Sequence, residues 1–325
     1  MRRRRFLALA GGSLIVQQLG LPSRRGHAQQ LPARLGILVG GIPNPGPFLK
    51  NFREGLQALG YDEGRNIRLE IRSAEGRGER LPALAAELVR LNVDIIVTYQ
   101  TPTAQAAKDA TSEIPIVMAS AGDPVGTGLV ASLARPGGNI TGMATATAEA
   151  GGKCVQLLRE LSPAARRVAA LCNELDPFSA PFLEQVQQAA TLSGIAAVPV
   201  FSRGPADLER AFAAIAGHAA DLAVMQPSLG TTRVAELAVA QRLPAASPTR
   251  AFALAGGLIS YSGNQAQIFR DSATYVDRIL KGARAADLPV QLPTTFDLVV
   301  NLRTAKALGV EVPSTLLWTA DEVIE

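Results

Sequence analysis

Short apolar runs alternate with amphipathic segments along almost the whole chain, and this alternation constrains the fold more than any other feature. Residues 35–39, 93–98 and 114–118 are rich in Ile, Val, Leu and Met, each broken by at most two other residues. Runs of that kind suit strands buried on both faces, as in parallel sheets. Between them, Phe48, Phe52, Leu56 and Leu59 share one helical face, as do Leu81, Leu84, Leu88 and Leu91, and residues 66–71 alternate like a strand. The stretch 114–145 predicts a buried strand, then a glycine-punctuated polar loop over 120–128. A short amphipathic helix follows, closed by Pro136-Gly137-Gly138, and then a second strand.

After residue 150 the plan restarts. A helix over 150–161 leads to strands at 167–172, 195–201, 221–225, 245–247 and 256–260. The helices between them carry Phe182, Val186 and Ala189, and Leu208, Phe212 and Ile215. Alternation of this sort predicts an α/β fold of two doubly wound parallel-sheet lobes with helices on the sheet faces. A long helix over 266–280, a strand over 296–300 and a helix over 303–308 follow, and Trp318, the only tryptophan, is expected to pack under the tail. The length of 325 residues accommodates two such lobes.

The formal charge of +4 is carried by the N-terminus. Six of the 32 basic residues lie within residues 1–28, which hold no acid, so the remainder has 26 basic against 28 acidic residues. No basic patch with interleaved aromatics remains, which removes the support for nucleic-acid binding. Residues 1–28 read as an export signal: arginines 2–5, a short apolar segment over 6–16, and small residues at Gly26-His27-Ala28 for cleavage. Arg3-Arg4-Arg5-Phe6-Leu7 fits a twin-arginine pattern. This predicts a periplasmic protein cleaved near Ala28; a basic tail and an uncleaved anchor are the alternatives. Cys154 and Cys172 read first as small buried hydrophobes. A disulfide is the alternative, because they fall at neighbouring ends of a helix and the strand after it.

Catalytic patterns are missing. Past residue 28 there is one histidine, His218, and no Cys-x-x-Cys, His-Glu-x-x-His or Walker-type loop. The sequence therefore predicts no enzyme, no metal and no cofactor. Polar residues do gather at the strand ends: Thr98, Gln100, Thr101, Ser120, Asp123, Asn173, Gln226, Ser260 and Tyr261. Each alone can serve as a cap or turn residue. Their shared position, at the carboxyl ends of strands where α/β folds bind ligands, marks them as candidate ligand contacts. Asp123 is the candidate partner for a ligand ammonium, with an Asx turn before Pro124 as the alternative.

Four blocks carry a family resemblance: residues 83–91 (Ala-Leu-Ala-Ala-Glu-Leu-Val-Arg-Leu), 122–142 (from Gly-Asp-Pro-Val-Gly-Thr-Gly to Gly-Gly-Asn-Ile-Thr-Gly), 275–282 (Tyr-Val-Asp-Arg-Ile-Leu-Lys-Gly) and 288–325. In these the chain resembles the ABC-transporter substrate-binding proteins whose characterised members include tryptophan- and tyrosine-type amino-acid binders. The resemblance implies a type 1 periplasmic-binding fold with a three-crossover hinge. Residues 29–146 with 264–291 would form the N-terminal lobe, and 147–263 with 292–325 the C-terminal lobe. It also implies a small-molecule ligand, a membrane permease as partner, a monomer, and ligand loops at Thr101-Pro102, Gly122-Asp123-Pro124, Asn173 and Ser260-Tyr261. The chain departs from the family at Glu174, where proline is common, at Ser262, and in the proline-rich loop 40–47. Two other classes share this lobe plan. A repressor's effector domain would need a DNA-binding N-terminus. A two-lobed, racemase-like secreted enzyme would need a cysteine from each lobe, whereas Cys154 and Cys172 both fall at the start of the second.

Overall fold

A computed structural model describes residues 32–40 and 45–325. The expected export segment, 1–28, lies outside the described residues, as do positions 41–44 of the proline-rich loop.

The first sheet comprises β1 (Ala33–Val39), β2 (Ile67–Ser73), β3 (Ile95–Tyr99), β4 (Ile116–Gly122) and β5 (Ile140–Thr145). All pairs are parallel, in the order β2-β1-β3-β4-β5. Helices α1 (Gly46–Ala58), α2 (Leu81–Arg90) and α3 (Thr101–Ala110) connect them. The chain then forms α4 (Thr147–Leu161), β6 (Arg167–Asn173), α5 (Ser179–Leu192), β7 (Ala196–Ser202), α6 (Leu208–Gly217), β8 (Leu222–Met225), α7 (Thr232–Ala240), β9 (Ala245–Ser247), α8 (Arg250–Leu254) and β10 (Ile259–Gly263). These strands are ordered β10-β9-β8-β6-β7, which repeats the first sheet's plan. Beyond α9 (Gln265–Leu280), β11 (Phe296–Asn301) pairs antiparallel with β10, and β12 (Glu322–Ile324) pairs parallel with β11. The second sheet is thus parallel except for an edge pair. Helices α10 (Leu302–Leu308) and α11 (Ser314–Thr319) lie between β11 and β12.

Each sheet is covered on both faces. Phe48, Phe52 and Leu56 of α1 pack with Phe269, Ala273 and Val276 of α9 over β1 and β3, while Leu81, Ala85 and Leu88 cover the opposite face. In the second lobe α4 and α5 cover one face and α6, α7 and Phe252 the other. The chain passes between lobes three times: from β5 into α4, from β10 into α9, and between Gln291 and β11. Gln291 still belongs to the first sheet's edge, where its amide donates to the Gly142 carbonyl and its carbonyl accepts from Ala144 N–H, at 3.1 and 2.8 Å. Asn264 caps α9 by accepting from the Gln267 amide at 2.9 Å, and Asn301 caps α10 through Thr304 at 3.0 Å. Among the described residues no helix is long and apolar enough to cross a membrane.

Two local expectations change. No helix forms between β4 and β5; residues 124–139 are turns and bends. The Asp123 carbonyl accepts from both the amide and the hydroxyl of Thr127, at 3.0 and 2.8 Å, but Gly128 at φ +72° breaks the turn there. Leu129 and Val130, with the half-buried Leu133, anchor the segment to the core. Trp318 is 83% exposed rather than packed under the tail. Leu316 takes the inward position of α11, and a residue two places on faces away from it. The cysteines are both free and buried, and burial pushes each thiol up to about 12. Thiol titration without reductant is expected to find no reactive cysteine in the native protein and two after unfolding; one or none after unfolding would contradict this arrangement.

Candidate functional site

Both sheets share one strand order, so both have a switch point, between β1 and β3 and between β6 and β8. Loops leaving the two strands there diverge to opposite faces and open a crevice at the carboxyl ends. Gln100 follows β3, Asn173 ends β6, and Gln226 follows β8. Gln100 adopts φ 82°, ψ 155°, a region that residues with a Cβ rarely occupy and that is held only where the surroundings over-determine it. Its amide donates to the Ser120 carbonyl at 2.8 Å, and its own carbonyl accepts from the Thr103 hydroxyl at 2.7 Å. α3 therefore starts directly at the crevice.

Between the lobes lies a chamber of about 50 Å³. Gln100, Thr101, Ser120 and Gly122 form the first-lobe wall, Thr145 and Thr147 stand at the crossover, and Asp176, Phe178, Gln226 and Ser228 form the second-lobe wall. The Thr101 hydroxyl accepts from the Gly122 amide at 3.0 Å, and the Thr145 and Thr147 hydroxyls hydrogen-bond each other. Past Gln100 and Ser228 the cleft widens into a space of about 340 Å³, whose walls include Pro82, Pro102, Asn173 and Leu175.

The second-lobe wall is one buried network. The Gln226 carboxamide, 1% exposed, accepts from Asn173 N–H at 2.8 Å and from the Ser179 hydroxyl at 2.9 Å through Oε1. Its Nε2 donates to Asp176 Oδ2 at 2.8 Å. The other carboxylate oxygen of Asp176 accepts from Phe178 N–H at 2.9 Å. Asp176 is the one charged residue lining the chamber, and it is buried. Desolvation raises its pKa, partly opposed by hydrogen bonds from Ser228, the Phe178 amide and Gln226. A carboxylate held this way favours a cation placed beside it.

Five of the nine sequence candidates come together at the crevice: Gln100, Thr101, Ser120 and Gln226 line the chamber, and Asn173 lines the wider space beside it. The other four line neither. Thr98 and Ser260 lie within β3 and β10, fully buried, with hydroxyls that find no partner among the described residues. Tyr261 stacks on Phe296 at 5.4 Å in the second lobe. Asp123, at φ 32°, turns its carboxylate back to the Gly126 amide at 2.8 Å and closes its own turn. Asp176, Phe178, Thr145, Thr147 and Ser228 were not singled out from the sequence. An acid followed by proline and a buried aromatic, directly after a predicted strand, was the available signal for the first two. Among the described residues no cluster of three or more His, Cys, Asp or Glu is placed to hold a metal ion.

Residues 47–324 match the family described as ABC transporter substrate binding protein. The chain belongs to that family. Its members are binding proteins rather than enzymes, are extracytoplasmic, and bind small molecules in partnership with the membrane components of ABC transporters. This substrate-binding protein is 26% identical over 265 residues to a tyrosine-binding protein of Clostridioides difficile, covering 81% of this chain and 76% of that one. It is similar to a conserved domain protein from Vibrio cholerae (28% identity, TM-score 0.83, 90% and 99% of the two chains). It is also similar to the ABC domain from Streptococcus pneumoniae in complex with L-Trp (25% identity, TM-score 0.83, 90% and 100%).

Proposed function

We propose that this protein is the periplasmic solute receptor of an ABC import system and closes its two lobes around a small ligand carrying an ammonium group, an amino acid. The buried Asp176 carboxylate carries this reading: it faces a chamber otherwise lined by amides, hydroxyls and ring faces. The α3 N-terminus and the Thr101 and Ser120 hydroxyls, on the opposite wall, suit a carboxylate. Tyrosine and L-Trp as ligands of the relatives support the same ligand class. Gln100, Thr101 and Ser120 would act from the first lobe, and Asn173, Gln226 and Asp176 from the second. A ligand touching both walls binds the closed form more tightly, and only that difference drives closure. The three crossovers would form the hinge, residues 1–28 the export signal removed near Ala28, and the receptor would work as a monomer.

A thermal-shift series over amino acids, small carboxylates, purines and sugars tests this. A ligand that binds only the native state raises its Tm, by roughly 2.7 kcal/mol of stability at a hundredfold excess over Kd. An amino acid is expected to do so, with a smaller radius of gyration in solution scattering. A shift with sugars or purines alone would refute the ligand class, and an unchanged radius would refute closure.

A further inference from the structure

One side chain lining the chamber is Phe178, and both of its neighbours are fixed. Phe178 stands at the start of α5, and its ring reaches across to β4 of the other lobe. A Cβ built on Gly122 would lie 2.7 Å from the ring's Cδ2 and Cε2 atoms, so the ring already rests on bare backbone. That backbone cannot retreat, because Gly122 donates to Thr101 at 3.0 Å and pairs with Thr145 in the sheet. Nor can the ring. Behind it lies Phe182, with centroids 6.0 Å apart, and Phe182 in turn abuts Gly151 of α4, where a Cβ would meet it at 2.6 Å. The amide of Phe178 is tied to Asp176 at 2.9 Å, so the buried carboxylate and the ring are positioned together.

Resting on the amino-acid reading above, we propose that Phe178 sets an upper size limit on the ligand and restricts the chamber to amino acids with short side chains, of the size of glycine, alanine or serine. The space of about 50 Å³ beside the ring holds only a few water-sized groups, the scale of the smallest amino acids. An indole or phenol ring does not fit there together with the charged head that Asp176 would hold. The chain would therefore differ in specificity from relatives that take tyrosine or tryptophan.

Melting temperatures of the purified protein with glycine, alanine, serine, phenylalanine and tryptophan, alone and for Phe178→Ala, decide this. Wild type is expected to gain roughly 5 °C with a saturating small amino acid and nothing with tryptophan. Phe178→Ala is expected to bind phenylalanine or tryptophan about tenfold more tightly than wild type does, reversing the size preference. Should that variant fail to fold, Phe178→Leu keeps the contact with Phe182 and is expected to shift the preference in the same direction. Tryptophan stabilising wild type as much as alanine would overturn the size limit while leaving the amino-acid reading standing. No shift with any amino acid would overturn both.

Discussion

Asp176→Ala is expected to weaken an amino-acid ligand by roughly a hundredfold or more in isothermal titration, with the fold retained. Removing one partner of a buried charge pair costs about 2–5 kcal/mol, because the other charge stays buried and unpaired. Affinity that survives within threefold would mean that the ligand's cation sits elsewhere. The same residue sets a pH dependence. Its pKa in the fold is raised by burial, so the folded protein keeps the carboxyl proton over a range in which the unfolded chain, near the ordinary value of about 3.9, has released it. The ligand-free protein should therefore lose stability as pH rises from the ordinary carboxylate range through the raised value, and level off above it. Ligand affinity should run the other way and fall as acid returns the proton. Asp176→Asn should flatten both trends; a pH profile unchanged by this substitution would assign them to another group.

The second large effect belongs to Gln226. Gln226→Leu strips the Asn173 amide of its acceptor and removes a donor from Asp176, while the Ser179 hydroxyl keeps the Asn173 carbonyl as acceptor. Two polar groups of the network lose partners at once, and each unsatisfied group costs about 1–3 kcal/mol, more for a charged one. A loss of roughly 3–5 kcal/mol is expected, or about 10 °C in Tm at this size. Because Asp176 would lose one of the donors that hold its charged form, its pKa should rise further. A Tm within 2 °C of wild type would mean that water replaces the carboxamide, and that the wall is less closely packed than described. Effects of the Gln226 and Asp176 substitutions should be non-additive, since both act on one network.

Much of the crevice is readable from the chain because topology puts it there. An apolar run ending in Thr98-Tyr99 and followed by Gln100-Thr101-Pro102 announces a strand end, and so do Asn173 and Gln226. The pair of Asp-Pro dipeptides divides what is legible from what is not. Asp123-Pro124 and Asp176-Pro177 look alike in sequence, yet one carboxylate closes its own turn on Gly126 and the other is buried against Gln226, 50 residues away. Burial of the second depends on long-range partners that no local pattern encodes. The same holds for Thr98 and Ser260, whose hydroxyls sit inside strands covered on both sides, and for Thr145 and Thr147, which reach the chamber only because the chain changes lobe there. The helix expected after Asp123 failed for a local reason: Gly126, Gly128 and Pro136 outweigh the apolar spacing around Leu129.

The first lobe is closed by a helix that arrives late. Gly55 of α1 lies so near α9 that a Cβ would meet the Arg270 carbonyl at 2.6 Å. The Tyr61 hydroxyl donates to Asp277 at 3.0 Å and Arg270 donates to Asn51 at 2.8 Å. More than 200 residues separate these partners. A ribosome must therefore emit nearly the entire polypeptide before its opening third can bury the Phe48–Phe52 face. Until then that greasy surface stays open to chaperones and proteases, and neither half should survive as an isolated fragment cut at the middle of the gene.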